Sequence, residues 1–372
     1  MRVLHFFKTS LPDTFGGIEL VIDQIARGAA QHGVTTDVLS LSTNDPVRNM
    51  TFNGYRRHTA RQDFQIASTG ISTSVIPAFL KLAQQADLIH YHFPWPFMDL
   101  LHFAMRAHKP TLLTYHSDII RQRHLLRFYR PLQARFLGAV DHIVATSPSY
   151  LATSDVLGRY RDKVSVIPIG LDQSSYPQPS ERTLRHWKAR FGGRFFLFVG
   201  VLRYYKGLHI LLEAARRDDF PIVIVGAGPI ERELRAQAAR LGLRNTHFLG
   251  QLPDEDKVAL LHLSYAVVFP SHLRSEAFGI SLLEGAMFGK PMISSEIGTG
   301  TTFINIHQET GLVVPPDDPQ GLRAAMQWLW DNPDQALAMG RKAAARYKHL
   351  FTAEQMVQRY VALYRRMAGN EQ

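Results

Sequence analysis

Two glutamates eight positions apart, Glu276 and Glu284, bracket the stretch S-E-A-F-G-I-S-L-L-E. The apolar run Tyr265 to Phe269 precedes them and is closed by Pro270-Ser271, which reads as a buried strand running into a loop. Apolar residues resume at Ile280, Leu282, Leu283, Met287 and Phe288, predicting a helix over 278–288. Glu276 then lies in the loop at the helix mouth, with Glu284 about two turns inside, roughly 9–12 Å further along. Backbone N–H groups from Ala277 through Phe278 and Gly279 to Ile280 point out of the same mouth, where the helix dipole favours anions. The arrangement suits a polyol phosphate: amides for phosphate or sugar oxygens, carboxylates for hydroxyls. The alternative is a plain helix carrying one solvated carboxylate and one first-turn charge.

Arg203 and Lys206, in V-G-V-L-R-Y-Y-K-G, follow a second apolar run at 195–199. A departing diphosphate needs positive charge where its bond breaks, and an arginine fork beside a compact lysine charge supplies it. No H-x-x-x-H spacing or carboxylate cluster signals a bound ion, so no metal is assigned. His116, in T-Y-H-S-D, stands just past the apolar run Leu112–Tyr115, where open α/β sheets bind ligands. His90 and His92 have equal claim by position, and with seventeen histidines a structural role is the alternative for each. Gly16-Gly17 lies between a first strand and a first long helix, where glycine lets backbone approach a ligand closely. Gly226-Ala227-Gly228 is a similar pair, followed by proline. Neither completes G-x-G-x-x-G, which argues against a nicotinamide cofactor. Ordinary tight turns remain the alternative for both.

Positioning these groups requires alternating strands and helices. The 372 residues contain 45% apolar types and no cysteine, which excludes disulfides, thiolate metal sites and cysteine nucleophiles. The first eight residues read as a strand rather than a signal peptide, and no apolar stretch reaches membrane-spanning length. Strand candidates in the first half are 3–7, 37–40, 88–91, 111–115, 142–145 and 164–167, separated by amphipathic stretches. A second series runs 195–199, 222–225, 247–249, 266–269, 292–294 and 311–314. The expected organisation is a doubly wound α/β domain over 1–172, a Ser/Pro/Gln-rich linker over 173–194, a second such domain over 195–351, and a closing helix in 352–372.

The run S-E-A-F-G-x-S-x-x-E-x-x-x-x-G-K-P resembles the donor-site signature of family 4 of the retaining glycosyltransferases. The similarity spans nearly the whole chain. It implies the GT-B architecture: two Rossmann-like domains facing across a cleft, with the C-terminal helix returning to the first. The runs R-Y-Y-K-G and G-T-G-T-T-F-I-N are most similar to bacterial O-antigen mannosyl- and D-rhamnosyltransferases fed by GDP-sugars. The resemblance assigns Glu284 to the ribose hydroxyls, Glu276 and His116 to the donor hexose, and Gly16-Gly17 to a loop over the diphosphate or the incoming acceptor. Lys206 matches the family lysine before glycine. Arg203 departs from it, because the family arginine directly follows the glycine, where this chain has Val201. Ile169 likewise replaces the asparagine of an I-P-N-G-x-D segment, leaving Asp172 to order the hinge or cleft wall. The implied reaction is retaining, metal-independent hexosyl transfer without cofactor to a polyprenyl-diphosphate-linked glycan. The rivals are a nucleotide-sugar epimerase or hydrolase of the same architecture and a noncatalytic binder of nucleic acid or anionic polymer.

Net charge is +10, half of it equal to the five arginines at 121, 123, 127, 130 and 135. They fall in a predicted helix over 119–139, interleaved with Leu125, Leu126, Phe128, Tyr129 and Phe136 and with no acidic residue. Such a helix suits an anionic membrane surface better than nucleic acid, since no recognition motif accompanies it; a solvated face is the alternative. The expected place is the cytoplasmic face of the inner membrane, as a peripheral protein.

Overall fold

The computed structural model describes residues 1–43, 49–66, 69–104, 109–119, 123–217 and 219–369. The chain divides into two units, Met1–Gly170 with Ala353–Gln372, and Leu171–Thr352.

The first unit opens with β1 (Arg2–Phe6), α1 (Gly17–Ala30), β2 (Thr35–Ser42), β3 (Asn49–Phe52) and β4 (Tyr55–Arg61). A small hairpin, β5 (Phe64–Ile66) and β6 (Thr69–Ile71), leads to α2 (Val75–Gln85) and β7 (Leu88–Phe93). Then come α3 (Pro96–Ala104), β8 (Thr111–Tyr115), α4 (Arg123–Ala139), β9 (His142–Ala145), α5 (Pro148–Thr153) and β10 (Val164–Val166). The eight-stranded sheet has the order β10-β9-β8-β7-β1-β2-β4-β3, parallel except for β3 against β4. Strand order reverses between β1 and β7, so the loops after them open at a topological switch point. β7 and β8 are buried throughout because helices cover both faces of a parallel sheet.

The sequence pattern shows no strand over 49–71. β4 reads Y-R-R-H-T-A-R, and its charges are absorbed by distant partners. Arg57 is buried and pairs with Asp13, while His58 and Arg56 meet Asp37 from β2.

The second unit holds α6 (Glu181–Phe191), β11 (Phe196–Val199), α7 (Leu208–Ala214), β12 (Ile222–Val225), α8 (Glu231–Arg240), β13 (Thr246–Gly250) and α9 (Asp254–Leu263). It continues with β14 (Ala266–Phe269), α10 (Ile280–Met287), β15 (Met292–Ser295), α11 (Thr301–Ile304) and β16 (Gly311–Val314). Two helices, α12 (Pro319–Asp331) and α13 (Pro333–Leu350), complete it. All six strands are parallel in the order β13-β12-β11-β14-β15-β16, with the switch point between β11 and β14. Phe196, Phe198 and Ile224 from the sheet pack with Leu211, Met326 and Leu329 from the helices.

The expected linker at 173–194 is corrected: this segment folds onto the second unit. Ser180 accepts a hydrogen bond from the Thr183 amide and caps α6. Trp187 is buried, and its indole N–H donates to Asp256 of α9 at 2.7 Å. Ser and Pro at 177–180 mark a helix start here rather than a free tether. The last helix, α14 (Ala353–Met367), packs on α1 of the first unit, where Gly28 leaves room for Val357.

Candidate active site

Lys206 and Glu276 are brought together from the two loops that flank the second unit's switch point. Lys206 ends a 3-10 turn at Tyr204–Lys206 after β11, and Glu276 lies in the loop after β14. Their side chains form an ion pair, with Nζ donating to Oε2. Ser271 Oγ lies 3.5 Å from the same carboxylate oxygen, and Lys206 Nζ stands 4.8 Å from the Phe269 ring centroid. Both partners are buried, at 9% and 8% exposure. A buried ion pair adds little to stability compared with an apolar substitute, but losing one partner is costly. Its presence at the switch point therefore fits a binding role better than a purely structural one. Arg203 caps the same turn with its side chain exposed and outside this pair.

Glu284 is the fifth residue of α10, which begins at Ile280, so it sits just over one turn inside the helix rather than two. It is buried, not solvated. Tyr176 O–H donates to its Oε1 at 3.0 Å, and Lys257 of α9 approaches the same oxygen at 3.3 Å. Burial opposes the charge on Lys257, but Glu284 and Asp254 outweigh it and hold its pKa above the ordinary value. Burial and Glu284 together push the Tyr176 phenol upward. Sequence reasoning missed both Tyr176 and Lys257. One lay in the expected linker and the other in an acidic helix start, D-E-D-K, with nothing local to mark either.

Gly279 caps α10 with φ +100°, a left-handed conformation that favours glycine. Phe278 is buried, with its ring edge-on to Phe351 at 6.2 Å, so its side chain packs and only its backbone can serve a ligand. Gly226 has φ +132°, and a Cβ there would stand 2.0 Å from the Gly200 carbonyl oxygen. The close approach it permits is therefore to its own neighbouring strand loop. Asp172, beside the expected hinge, accepts from the Ser174 amide at 3.0 Å and caps a short turn.

In the first unit, Gly16 and Gly17 form the start of α1, and Gly16 is exposed. Glu19 of that first turn curls back beside Gly16 and accepts from Thr9 Oγ1 at 2.7 Å. A carboxylate at this mouth suits sugar hydroxyls better than a diphosphate. His116 follows β8, at 5% exposure, with Nε2 3.0 Å from His92 Nδ1. Burial pushes its pKa down to about 3, so the ring is neutral near pH 7. His90 and His92, the positional rivals, are fully buried in β7.

Two groups with ligand-like proximity exist among the described residues: His5/His90/His92, in which a distant His5 joins the neighbouring pair in β7, and His209/His272/Asp317, assembled from three separate segments. His272 engages Asp317 at 2.6 Å and the Tyr204 carbonyl at 3.1 Å, so both its nitrogens have protein partners. In α4, Phe128 is 83% exposed beside exposed Arg127 and Arg130, while Phe136 and Leu137 enter the core. Arg121 lies outside the described residues, as do the side chains of residues 123–126.

Family models agree with this division. "Glycosyltransferase Family 4" matches residues 15–175, and "Glycosyl transferases group 1" matches 181–346. The chain is 63% identical to D-rhamnosyltransferase WbpZ of Pseudomonas aeruginosa, over 95% of this chain and 93% of that one. It is 50% identical to O-antigen chain mannosyltransferase C of Escherichia coli, over 98% of each. Sucrose-phosphate synthase from Thermosynechococcus elongatus shares its fold with a TM-score of 0.82 at 22% identity, each chain covered completely. Anabaena HepE in complex with UDP and glucose does so with a TM-score of 0.77 at 18% identity, over 98% of this chain and 99% of that one. Two parallel α/β units, the returning last helix and identity along almost the entire length lead to one conclusion: the chain belongs to glycosyltransferase family 4 and is a glycosyltransferase of GT-B fold.

Proposed function

We propose that the chain moves mannose or D-rhamnose from a GDP-sugar to a polyprenyl-diphosphate-linked glycan during O-antigen assembly, with retention at the anomeric carbon and without a metal ion. The observation that carries this reading is the buried Lys206–Glu276 pair at the switch point of the second unit. It supplies a cation for the departing diphosphate and a carboxylate for hexose hydroxyls. The anomeric carbon–oxygen bond breaks with its electron pair leaving on the diphosphate. The acceptor hydroxyl oxygen bonds to the same face of that carbon, and its proton passes to the departing phosphate oxygen. No protein carboxylate is then needed as nucleophile, unlike in a retaining glycosidase. Lys206, joined by Arg203, balances charge growing on the phosphate; Glu284 accepts from the ribose hydroxyls; His116 contacts the hexose.

The choice of sugar is supported by the names of the two relatives, a D-rhamnosyltransferase and an O-antigen chain mannosyltransferase. No described helix is long and apolar enough to cross a membrane. We place the protein peripherally on the cytoplasmic face of the inner membrane, where α4 would meet anionic lipid rather than nucleic acid. Transfer from GDP-mannose and GDP-D-rhamnose to a lipid-linked acceptor in excess EDTA tests the reading, with an α-linked product expected by NMR. Activity lost in EDTA and restored by Mg²⁺ or Mn²⁺ would refute the metal-free electrophile, and a β-linked product would refute retention. Conversion of donor alone to free sugar or an epimer, as fast as transfer, would point to a hydrolase or epimerase.

A further inference from the structure

Four buried histidines of the first unit form one continuous hydrogen-bonded chain that ends at His116. Thr114 Oγ1 lies 2.9 Å from Tyr360 Oη and 2.7 Å from His90 Nε2. His90 Nδ1 lies 2.8 Å from Tyr364 Oη, which lies 3.3 Å from His5 Nε2. His5 Nδ1 meets His92 Nε2 at 3.0 Å, and His92 Nδ1 meets His116 Nε2 at 3.0 Å. The alternation of β-strands puts 90 with 92 and 114 with 116 on one face, while the two tyrosines come from α14. Burial holds all four rings neutral near pH 7.

A neutral imidazole has one N–H and one lone pair, so every bond in such a chain must run the same way. A reversal between two imidazoles would set two N–H groups, or two lone pairs, face to face, and a hydroxyl that accepted from both neighbours would leave its own buried proton without an acceptor in the chain. The far end decides the direction. Tyr360 is 1% exposed, and Thr114 Oγ1 is the partner of its hydroxyl among the described residues. If Thr114 donates to Tyr360, the tyrosine proton is buried without an acceptor, which is the costly arrangement. If Tyr360 donates, every hydroxyl proton and every linking N–H has an acceptor, Tyr360 to Thr114, Thr114 to His90, His90 to Tyr364, Tyr364 to His5, His5 to His92 and His92 to His116, and the His116 Nδ1–H is left to face outward from the end of the chain.

We propose that the hydroxyl of Tyr360, through this chain, holds His116 as the tautomer protonated on Nδ1, so that His116 offers its ligand a hydrogen-bond donor and not a base. His5, His90, His92, Thr114, Tyr360 and Tyr364 are then positioning residues for a group up to six links away. The tautomer does not depend on which sugar is transferred; only its kinetic consequence rests on His116 contacting the donor hexose.

Long-range ¹H–¹⁵N correlation spectra of the full-length, ¹⁵N-histidine-labelled protein without ligand read the tautomers directly. His5, His90, His92 and His116 should all carry the proton on Nδ1, with that form exceeding the other by at least about tenfold. Tyr360→Phe removes only the hydroxyl and should move the His116 signals toward the Nε2-protonated pattern. A transfer assay adds a second reading: His116→Asn, whose amide N–H falls near the Nδ1 position, should keep about tenfold more turnover than His116→Gln. A wild-type His116 protonated on Nε2, or His116 signals unmoved in a folded Tyr360→Phe, would overturn the proposal. So would one equivalent of metal bound by His5, His90 and His92 on elemental analysis. Because the spectra need no donor or acceptor, they stand even if the assigned substrate is wrong.

Discussion

Replacing Glu276 by glutamine should weaken the fold while strengthening GDP binding. The carboxylate and Lys206 are each about nine-tenths buried, so the substitution leaves a lysine charge with no counter-charge. Breaking a buried pair from one side costs roughly 3–5 kcal/mol. Glutamine keeps an acceptor carbonyl, which sets the expected loss near the lower end, about 3 kcal/mol. At about 2–4 °C per kcal/mol for a unit of this size, the melting temperature should fall by roughly 6–12 °C. In the wild type the incoming phosphate must draw Lys206 away from Glu276; in the variant it meets an unpaired cation. GDP should therefore bind about tenfold more tightly, a gain of about 1.4 kcal/mol, and restore part of the lost melting temperature. Turnover should nevertheless fall by about 10²-fold, because the hexose loses its carboxylate partner. Differential scanning fluorimetry, calorimetry with GDP and initial rates measure the three effects. An unchanged melting temperature, or weaker GDP binding in the variant, would refute the idea that Glu276 holds Lys206 in reserve for the phosphate.

Glu284→Ala should weaken GDP binding with a smaller effect on turnover of bound donor, since ribose contacts are shared by ground and transition states; unchanged GDP affinity by calorimetry would remove Glu284 from the nucleotide site. Stability should fall steeply in mild acid. His5 and His116 are pushed down to about 3 and His90 and His92 also lie well below 6.5, chiefly by burial, so the unfolded chain takes up protons that the folded one refuses. Each histidine then removes up to about 1.4 kcal/mol per pH unit below about pH 6.5. A urea midpoint that does not move between pH 7 and pH 5 would contradict this. Binding of the protein to anionic vesicles should fall with salt and should drop in an Arg127→Gln, Phe128→Ser, Arg130→Gln variant that keeps activity on a soluble acceptor; equal sedimentation with neutral and anionic vesicles would make α4 an ordinary solvated face.

Strands such as β11, β12 and β14 were legible in the sequence because a parallel strand buried on both faces needs a continuous apolar run, and that need is local. The positions of Glu276, Lys206 and His116 follow from the same pattern, since each lies in the loop after a strand, at the end where these sheets open, whereas Glu284 was placed by its spacing from Glu276 inside the following helix. β4 and α6 were not legible. Arg57 finds Asp13 44 positions away, and Trp187 finds Asp256 69 positions away, so a polar strand and an apparent linker become packed elements only through distant partners. The same holds for the chemistry within the site. Spacing places Lys206 and Glu276 at strand ends, but only the order β12-β11-β14-β15 makes those ends neighbours and turns two separate charges into one pair. The histidine chain has no sequence signature, because hydrogen-bond direction passes from Tyr360 in the last helix to His116 through side chains from three strands. Local pattern reports what each residue must be buried against. Which partner it meets across hundreds of positions is decided by the tertiary fold, where burial leaves a polar group no alternative to the one beside it.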